Sequence, residues 1–353
     1  MSTEIKPQSH LYQSRPLPVR GKRWGVGLVK VVGTGLLLLF IWNLNLNLAQ
    51  ITTSLFAANL WLVLLSALLI FPILALKSWR WSIILNNSGL KLSYASAFYL
   101  YALGLSAGSF TPGQAGDAIK AWKLKESGYP FATSLKSIVL DRLLDLLVLA
   151  ILAIGSIVFL SSTFLNELGG SLLLLALVAS ILLIITFPKL YQPLLALLAK
   201  LIERKTGKYS TGEVTPTIYN PPPNLKSFIS PFLITLATSS LAIFRVWLLA
   251  VALGLNLGLP EAVAVSSLGT VAGLVPVSVA GIGTRDLTLI GILSKLGYLR
   301  ETAVSLSALV LLLSLVNLVV GYTIWSTRPK SSREQANNGW NHANNSNLES
   351  TKE

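Results

Sequence analysis

Long apolar stretches alternate with short polar segments along most of the chain. Stretches of about 17 residues or more can cross a bilayer as a helix, and they are predicted at 26–42, 55–76, 134–160, 171–187, 227–253 and 303–325. The uncharged segment 43–54 is predicted to turn the chain, and the shorter apolar stretches 94–110 and 260–275 each stop at a Gly/Pro-rich break. This pattern predicts an all-α polytopic membrane protein with seven to eight hydrophobic segments, about five of them full spans.

The two Gly/Pro-rich breaks occupy corresponding places in two halves of the chain. Each break is followed by a Gly-Tyr step and a long apolar stretch. The break residues are Pro112, Gly113 and Gly116 in the first half and Pro276, Ser278, Gly281 and Gly283 in the second. Helices interrupted at matching positions of two repeats are typical of transporter binding sites. We therefore predict two broken, re-entrant helical hairpins.

The spacing of the breaks predicts that the halves are inverted, because three full spans separate the first break from the second. The clearest sequence match between the halves aligns 132–135 with 303–306, shortly after the Gly-Tyr steps. We divide the chain into a basic tail (1–25), a membrane domain (26–327) and a polar, disordered tail (328–353). The membrane domain comprises halves at about 26–188 and 227–327, joined by a polar linker at 189–226.

Composition supports a membrane location and limits the kinds of site and partner that we expect. Hydrophobic residues make up 53% of the chain and charged residues only 12%, whereas soluble proteins carry about 25% charged residues. There is no cysteine, and both histidines lie in the polar tails, so we expect no metal site and no cofactor. The net charge of +14 is distributed over loops and forms no basic stripe, so we expect no nucleic-acid partner. The basic loops share one face, which the positive-inside rule places in the cytoplasm together with both termini.

Asp141, Arg142 and Asp145 lie well inside the predicted span 134–160, roughly two helical turns past its start. An ionised side chain at a helix centre costs about 2.5–3.5 kcal/mol on insertion scales, so these residues are expected to face the bundle or a wet cavity. Arg142 and Asp145 are three positions apart and can pair on one helix face. Two interpretations remain open: an arginine held by the aspartates that meets an anionic headgroup, or a structural ion pair within one helix.

Charged residues also accompany the breaks. A helix that begins near Asp117, with Lys120 one turn further on, would direct free N–H groups at the first break, an arrangement that suits a phosphate group. Arg285 and Asp286 are placed in the same way after the second break. The alternative for each is a simple loop. Arg245 has no acidic residue nearby in its own helix. Two interpretations therefore remain open: it contacts the substrate, or it forms an ion pair with Asp141 or Asp145 across the bundle.

Tryptophans flank the apolar spans and are interpreted as interfacial anchors. They are Trp24, Trp42, Trp79, Trp81 and Trp325. The sequence contains no phosphate-binding P-loop, serine nucleophile elbow or metalloprotease motif, so an enzymatic interpretation would depend on carboxylates and arginines alone.

The chain resembles the transmembrane, flippase-like domain of bacterial lysylphosphatidylglycerol synthases and its stand-alone relatives over about residues 25–327. The resemblance is carried by Arg80-Trp81, Pro112-Gly113 with Gly116-Asp117, Asp141-Arg142 with Asp145, and Pro276, Ser278, Gly281, Gly283, Arg285 and Asp286. Three of these acidic positions hold Asp where the family more often has Glu, and Lys120 stands where Arg is common. Nothing after 325 is long enough to form the soluble synthase domain. The resemblance therefore implies lipid translocation in the bacterial cytoplasmic membrane, and not lipid synthesis.

These observations support one leading hypothesis and two alternatives. The leading hypothesis is translocation of a charged lipid, with Arg142, Lys120 and Arg285 sheltering its headgroup. The first alternative is a membrane-embedded transferase that acts on lipid-linked substrates with Asp141 or Asp145 as the base. The second is a non-catalytic membrane partner of a separate lipid-modifying enzyme.

Overall fold

A computed structural model describes residues 47–109, 111–164, 225–274 and 283–327, and every regular element in these ranges is a helix. The α-helices are α1 (Leu48–Phe56), α2 (Leu60–Leu68), α3 (Ile70–Asn87), α4 (Tyr94–Ser109), α5 (Ile119–Glu126), α6 (Phe131–Phe164), α7 (Leu225–Ala252), α8 (Leu259–Leu274), α9 (Thr284–Lys295) and α10 (Arg300–Ser326). Four helical stretches of the described residues are long and apolar enough to cross a membrane: Leu60–Asn87, Phe131–Leu160, Ile229–Ala252 and Arg300–Ser326. The predicted all-α polytopic membrane fold is confirmed.

Three predicted spans, 134–160, 227–253 and 303–325, match α6, α7 and α10 closely. The span predicted at 55–76 is wrong at both ends. The helical stretch Leu60–Asn87 starts later and continues much further, through Lys77 and Arg80.

The segment predicted as a turn at 43–54 contains most of α1. Asn47 starts this helix because its side chain accepts the N–H of Gln50 at 3.2 Å. Asn59 caps α2 in the same way through the N–H of Trp61 at 3.0 Å. The predictions for 1–25, 26–42, 171–187, 189–226 and 328–353 fall wholly or almost wholly outside the described residues.

Both broken stretches fold back on themselves as hairpins. In the first, α4 packs against a short 3₁₀ helix (Pro112–Ala118) and the adjoining α5. In the second, α8 packs against α9. The half-helices predicted at 260–275 and from 284 onwards are therefore observed with nearly the expected bounds.

The halves repeat the same turns at the same places. Each hairpin is preceded and followed by a glycine in the left-handed region, with φ between 76° and 89°: Gly89 and Gly128 in the first half, Gly254 and Gly297 in the second. After each glycine, the next N–H bonds back into the last helical turn at 2.9–3.0 Å. The tyrosines that follow Gly128 and Gly297 also make the same contact, since Tyr129 donates to the carbonyl of Lys91 and Tyr298 to that of Asn256.

Equivalent helices of the two halves run antiparallel. Near one end of the pair formed by Leu60–Asn87 and α7, the Ser66 hydroxyl donates to the carbonyl of Arg245, and towards the other end Arg80 contacts Thr235. The remaining contacts between halves are reciprocal, because α4 packs on α10 whereas its counterpart α8 packs on α6. The predicted inverted arrangement is thus observed for the described residues.

The structure also corrects the register of the repeat. Helices α6 and α10 begin at Phe131 and Arg300, each two residues after the Gly-Tyr step. This alignment pairs the fully buried Ser134 with the fully buried Ala303. The letter match of 132–135 with 303–306 is therefore shifted by two positions, because small and apolar residues recur within a turn in both helices.

Candidate functional site

Seven charged side chains form a connected network between α3, the first hairpin and α6. The four cations are Lys77, Arg80, Lys120 and Arg142, and the three carboxylates are Asp117, Asp141 and Asp145. The structure thus brings together five of the residues singled out from the sequence. It adds Lys77 and Arg80 from a helix that was predicted to have ended.

Arg80 is the centre of the network, and its side chain is completely buried. Its Nε donates to Asp141 at 2.8 Å, and its Nη1 donates to Asp145 at 2.5 Å and to the Thr235 hydroxyl at 2.9 Å. Tyr101 donates to the second oxygen of Asp141 at 3.0 Å. A buried guanidinium is tolerated in this position because it meets carboxylates with charge-assisted bonds.

Asp117 forms the second part of the network, at the hairpin. Its carboxylate lies 2.8 Å from Lys120 Nζ and 2.8 Å from Arg142 Nη2. Both Asp117 and Lys120 are buried, and they fit against α4 because Gly104 has no side chain. A Cβ on Gly104 would overlap an Asp117 oxygen and lie 2.9 Å from Lys120 Cδ.

Two aromatic rings surround the Lys120 ammonium. Its Nζ lies 4.0 Å from the centroid of Tyr101 and 4.7 Å from that of Trp81, distances typical of cation–π contacts. Trp81 is completely buried and donates to the Ser137 hydroxyl at 3.2 Å. The interpretation of Trp81 as an interfacial anchor is therefore wrong, whereas Trp79 is 51% exposed.

Only one side of the network is accessible. The side chains of Arg142, Lys77 and Asp145 are 26%, 24% and 19% exposed. Arg142 reaches Asp145 only at 3.8 Å, but it donates to Asp117 and to the exposed Gln114. The predicted pair of Arg142 with Asp145 is therefore present only as this long contact, and Asp117 of the hairpin holds Arg142 more closely, while Arg80 holds Asp141 and Asp145.

The first break differs in detail from the prediction. Helix α5 begins at Ile119, two residues after Asp117 and close to the predicted start, but a 3₁₀ helix that starts at Pro112 and Gly113 leads directly into it. The N–H of Gly116 donates to the Thr111 hydroxyl at 2.7 Å, and a Cβ on Gly116 would overlap the Ala107 carbonyl. The hairpin tip is therefore closed, and a carboxylate rather than a free helix terminus meets the cations.

At the second break, Arg285 and Asp286 begin α9 as predicted. The Asp286 carboxylate accepts the N–H of Gly283 at 2.8 Å and the hydroxyl of Ser307. Among the described residues, no ion pair joins this group to the seven-residue network. Pro276, Ser278 and Gly281 lie outside the described residues, so their assignment to the break remains a prediction.

Arg245 pairs with neither Asp141 nor Asp145. Its Nε donates to the carbonyl of Ser66 at 2.8 Å, and its terminal nitrogens lie 3.4 Å from the Asn317 side-chain oxygen. The suggested ion pair across the bundle is wrong, because Asp141 and Asp145 are already held by Arg80.

A model of the lysylphosphatidylglycerol synthase TM region matches residues 27–321. The chain belongs to this family. No curated protein matches the chain. Membership in the lysylphosphatidylglycerol synthase TM region family, together with the apolar helices, identifies an integral membrane protein with a lipid-related function.

Several residues of the site in this family member were not predicted from the sequence. Lys77 and Arg80 lie just beyond the span predicted at 55–76, and Arg80 was noted only as part of the family resemblance, although a longer helix would have carried both into the bundle. Tyr101 and Thr235 gave no signal, because hydroxyl-bearing residues are common in apolar helices. Among the described residues, no group of three or more His, Cys, Asp or Glu side chains is arranged to hold a metal ion.

Proposed function

We propose that this protein translocates a lipid with an anionic, phosphate-containing headgroup between the leaflets of the cytoplasmic membrane. The observation that carries the proposal is the charge balance of the seven-residue network, in which four cations meet three carboxylates within the described part of the chain. A surplus cation at membrane depth is costly unless an anion compensates it. A phosphate group supplies that charge without displacing the carboxylates.

The accessible side of the network suits such a headgroup. Arg142 and Lys77 are the partly exposed cations, whereas Arg80 and Lys120 are fully buried. Arginine offers a planar fork that matches two phosphate oxygens, and lysine adds a point charge. A headgroup entering beside Arg142 would meet these two cations first, while its acyl chains remain in the lipid.

The engagement of the carboxylates favours translocation over group transfer. Asp141 accepts hydrogen bonds from Arg80 and Tyr101, and Asp145 accepts them from Lys77 and Arg80. A general base needs an oxygen that can approach the substrate's proton. These carboxylates instead serve to position cations.

The inverted repeat supplies the means of exposing a site to each leaflet in turn. The antiparallel helices Leu60–Asn87 and α7 lie at the pseudo-symmetry axis, so a rocking motion about this pair can exchange the arrangements of the two halves. The basic loops orient the chain with both termini in the cytoplasm. A separate lipid-modifying enzyme that supplies the lipid is a compatible partner.

Purified protein reconstituted into liposomes tests the proposal. Fluorescent phosphatidylglycerol in the inner leaflet should become reducible by external dithionite within minutes, whereas about half the fluorescence stays protected in protein-free liposomes. Unchanged protection for this and other anionic lipids would contradict translocation. Formation of a modified lipid from added lipid-linked donors would support the transferase instead, and neither activity would favour a non-catalytic partner.

A further inference from the structure

A cavity of about 180 Å³ lies in the second half, between the start of α9 and the first turns of α10. Its polar wall is formed by Arg285, Asp286 and Ser307. Its lining also includes apolar side chains, among them Ile290, Ala308 and Leu311. The cavity thus combines charged groups with a hydrocarbon-like surface.

Arg285 has unused bonding capacity in this cavity. The residue is only 9% exposed, and its buried Nε has no acceptor among the described residues. A buried guanidinium N–H without an acceptor is costly, so a ligand that accepts from it would gain free energy.

Asp286 satisfies only one end of Arg285. Its oxygens accept the Gly283 N–H and the Ser307 hydroxyl, and it accepts a long hydrogen bond of 3.4 Å from Arg285 Nη2. The carboxylate is thus fixed as the cap of α9, while Arg285 Nε has no acceptor among the described residues.

The equivalent position in the first half has no room for a ligand. Aligned on the Gly-Tyr steps, Arg285 corresponds to Gly116 and Asp286 to Asp117. Gly116 packs directly against the Ala107 carbonyl, so the first hairpin is closed at the place where the second has an arginine and a cavity. The two halves therefore present different sites despite their common fold.

We infer that the Arg285 cavity binds the phosphodiester of a phospholipid, with the glycerol and upper acyl carbons along Ile290, Ala308 and Leu311. This inference rests on the proposed function for the class of ligand, and it adds a second headgroup site separate from the Arg142 side of the network. The phosphodiester oxygens would accept from Arg285 Nε, and the Ser307 hydroxyl lies on the same wall.

Binding to the full chain in detergent tests the inference, with dioctanoyl phosphatidylglycerol, inorganic phosphate and dioctanoylglycerol as separate probes. Native mass spectrometry counts the bound molecules and titration gives each affinity. Arg285→Leu should remove one bound phosphatidylglycerol and weaken that site by about tenfold or more, since a charge-assisted bond is lost. Arg300→Leu makes the same charge change at an exposed position of the same half and should leave the count unchanged.

A second variant separates the lipid from free phosphate and does not alter the charged residues. Ala308→Phe fills the apolar side of the cavity, so it should exclude phosphatidylglycerol from this site. Inorganic phosphate that binds as tightly as the lipid, or equal loss of phosphatidylglycerol and dioctanoylglycerol in Arg285→Leu, would overturn the lipid assignment. An unchanged lipid count in both variants, each melting within a few degrees of the wild type, would overturn the site.

The result of this binding experiment can be distinguished from the result of the translocation experiment in liposomes. Loss of one bound lipid in Arg285→Leu without any translocation by the wild type would retain the cavity site and reject the transport function. Translocation with an unchanged lipid count would retain the function and reject the cavity site.

Discussion

Arg80 and Arg245 occupy equivalent positions in the two halves, yet only Arg80 meets carboxylates. Each arginine lies the same distance before a left-handed glycine, Gly89 or Gly254, at the end of its long helix. In the second half, Val310 and Ser314 stand where the first half has Asp141 and Asp145. Arg245 consequently relies on neutral oxygens of Ser66 and Asn317. Two equivalent positions of the repeat thus have different electrostatic roles.

This difference predicts opposite effects of the same substitution on stability. Arg80→Leu leaves Asp141 and Asp145 without their central cation, and breaking a buried ion pair in this way costs about 3–5 kcal/mol. Arg245→Leu removes a buried cation whose partners among the described residues are all neutral, so it should be neutral or stabilising. Thermal unfolding of the purified variants in one detergent measures both effects.

Lys91→Leu is the control for the two arginine variants, because it also replaces a cation by leucine, and Lys91 is exposed in the segment that follows α3. It should melt within a few degrees of the wild type. Equal destabilisation by Arg80→Leu and Arg245→Leu would contradict the division between a compensated and an uncompensated arginine.

Arg142→Lys should impair translocation with little loss of stability. The lysine retains the positive charge beside Asp117, but it loses the fork that reaches Asp117 and Gln114 together. We expect the initial rate of lipid movement in liposomes to fall about tenfold, the effect of losing one charge-assisted contact of about 1.5 kcal/mol. Arg300→Lys is the matched control at an exposed site and should retain the wild-type rate; equal rates in both variants would remove Arg142 from the proposed site.

The sequence was sufficient to predict most helices and both hairpins. Long apolar stretches and Gly/Pro breaks are local signals, and they located α6, α7, α8, α9 and α10 within a few residues. The Gly-Tyr steps were the most reliable markers of the repeat, because a left-handed glycine is demanded by the turn itself. The short sequence match after the Gly-Tyr steps was less reliable, because apolar helices are built from few residue types and such matches arise easily by chance.

The centre of the site was harder to predict, because it depends on contacts between distant segments. Lys77 and Arg80 appeared to end a span, since charges in an apolar stretch usually mark the membrane surface. Their acidic partners are more than 60 positions away. Trp81 was misinterpreted for the same reason: a tryptophan next to an arginine is typical of an interface, and its inward position follows only from contacts with the distant Lys120 and Ser137.

Gly104 of α4 should be intolerant of a methyl group although it is not in either break. A Cβ there would overlap an oxygen of Asp117 and crowd Lys120, so Gly104→Ala should displace the carboxylate from Arg142. We expect a melting temperature several degrees lower and reduced lipid movement. Gly155→Ala in α6 meets nothing within 4 Å and should be neutral or slightly stabilising, because alanine favours a helix; equal behaviour of the two variants would contradict the close packing at Asp117.

Inverted topology predicts that equivalent positions lie on opposite sides of the membrane. Glu126 and Lys295 end the two hairpins at equivalent positions, and both are exposed. The natural chain has no cysteine, so Glu126→Cys and Lys295→Cys each introduce a single thiol. An impermeant maleimide added to intact cells should label Lys295→Cys, and the same reagent added to inside-out vesicles should label Glu126→Cys, because the positive-inside rule predicts that the first hairpin's end is cytoplasmic. The unsubstituted chain is the control and should not react from either side.

Labelling of both thiols from one side would contradict the inverted repeat. Labelling from opposite sides in the reverse sense would retain the repeat and overturn only the orientation.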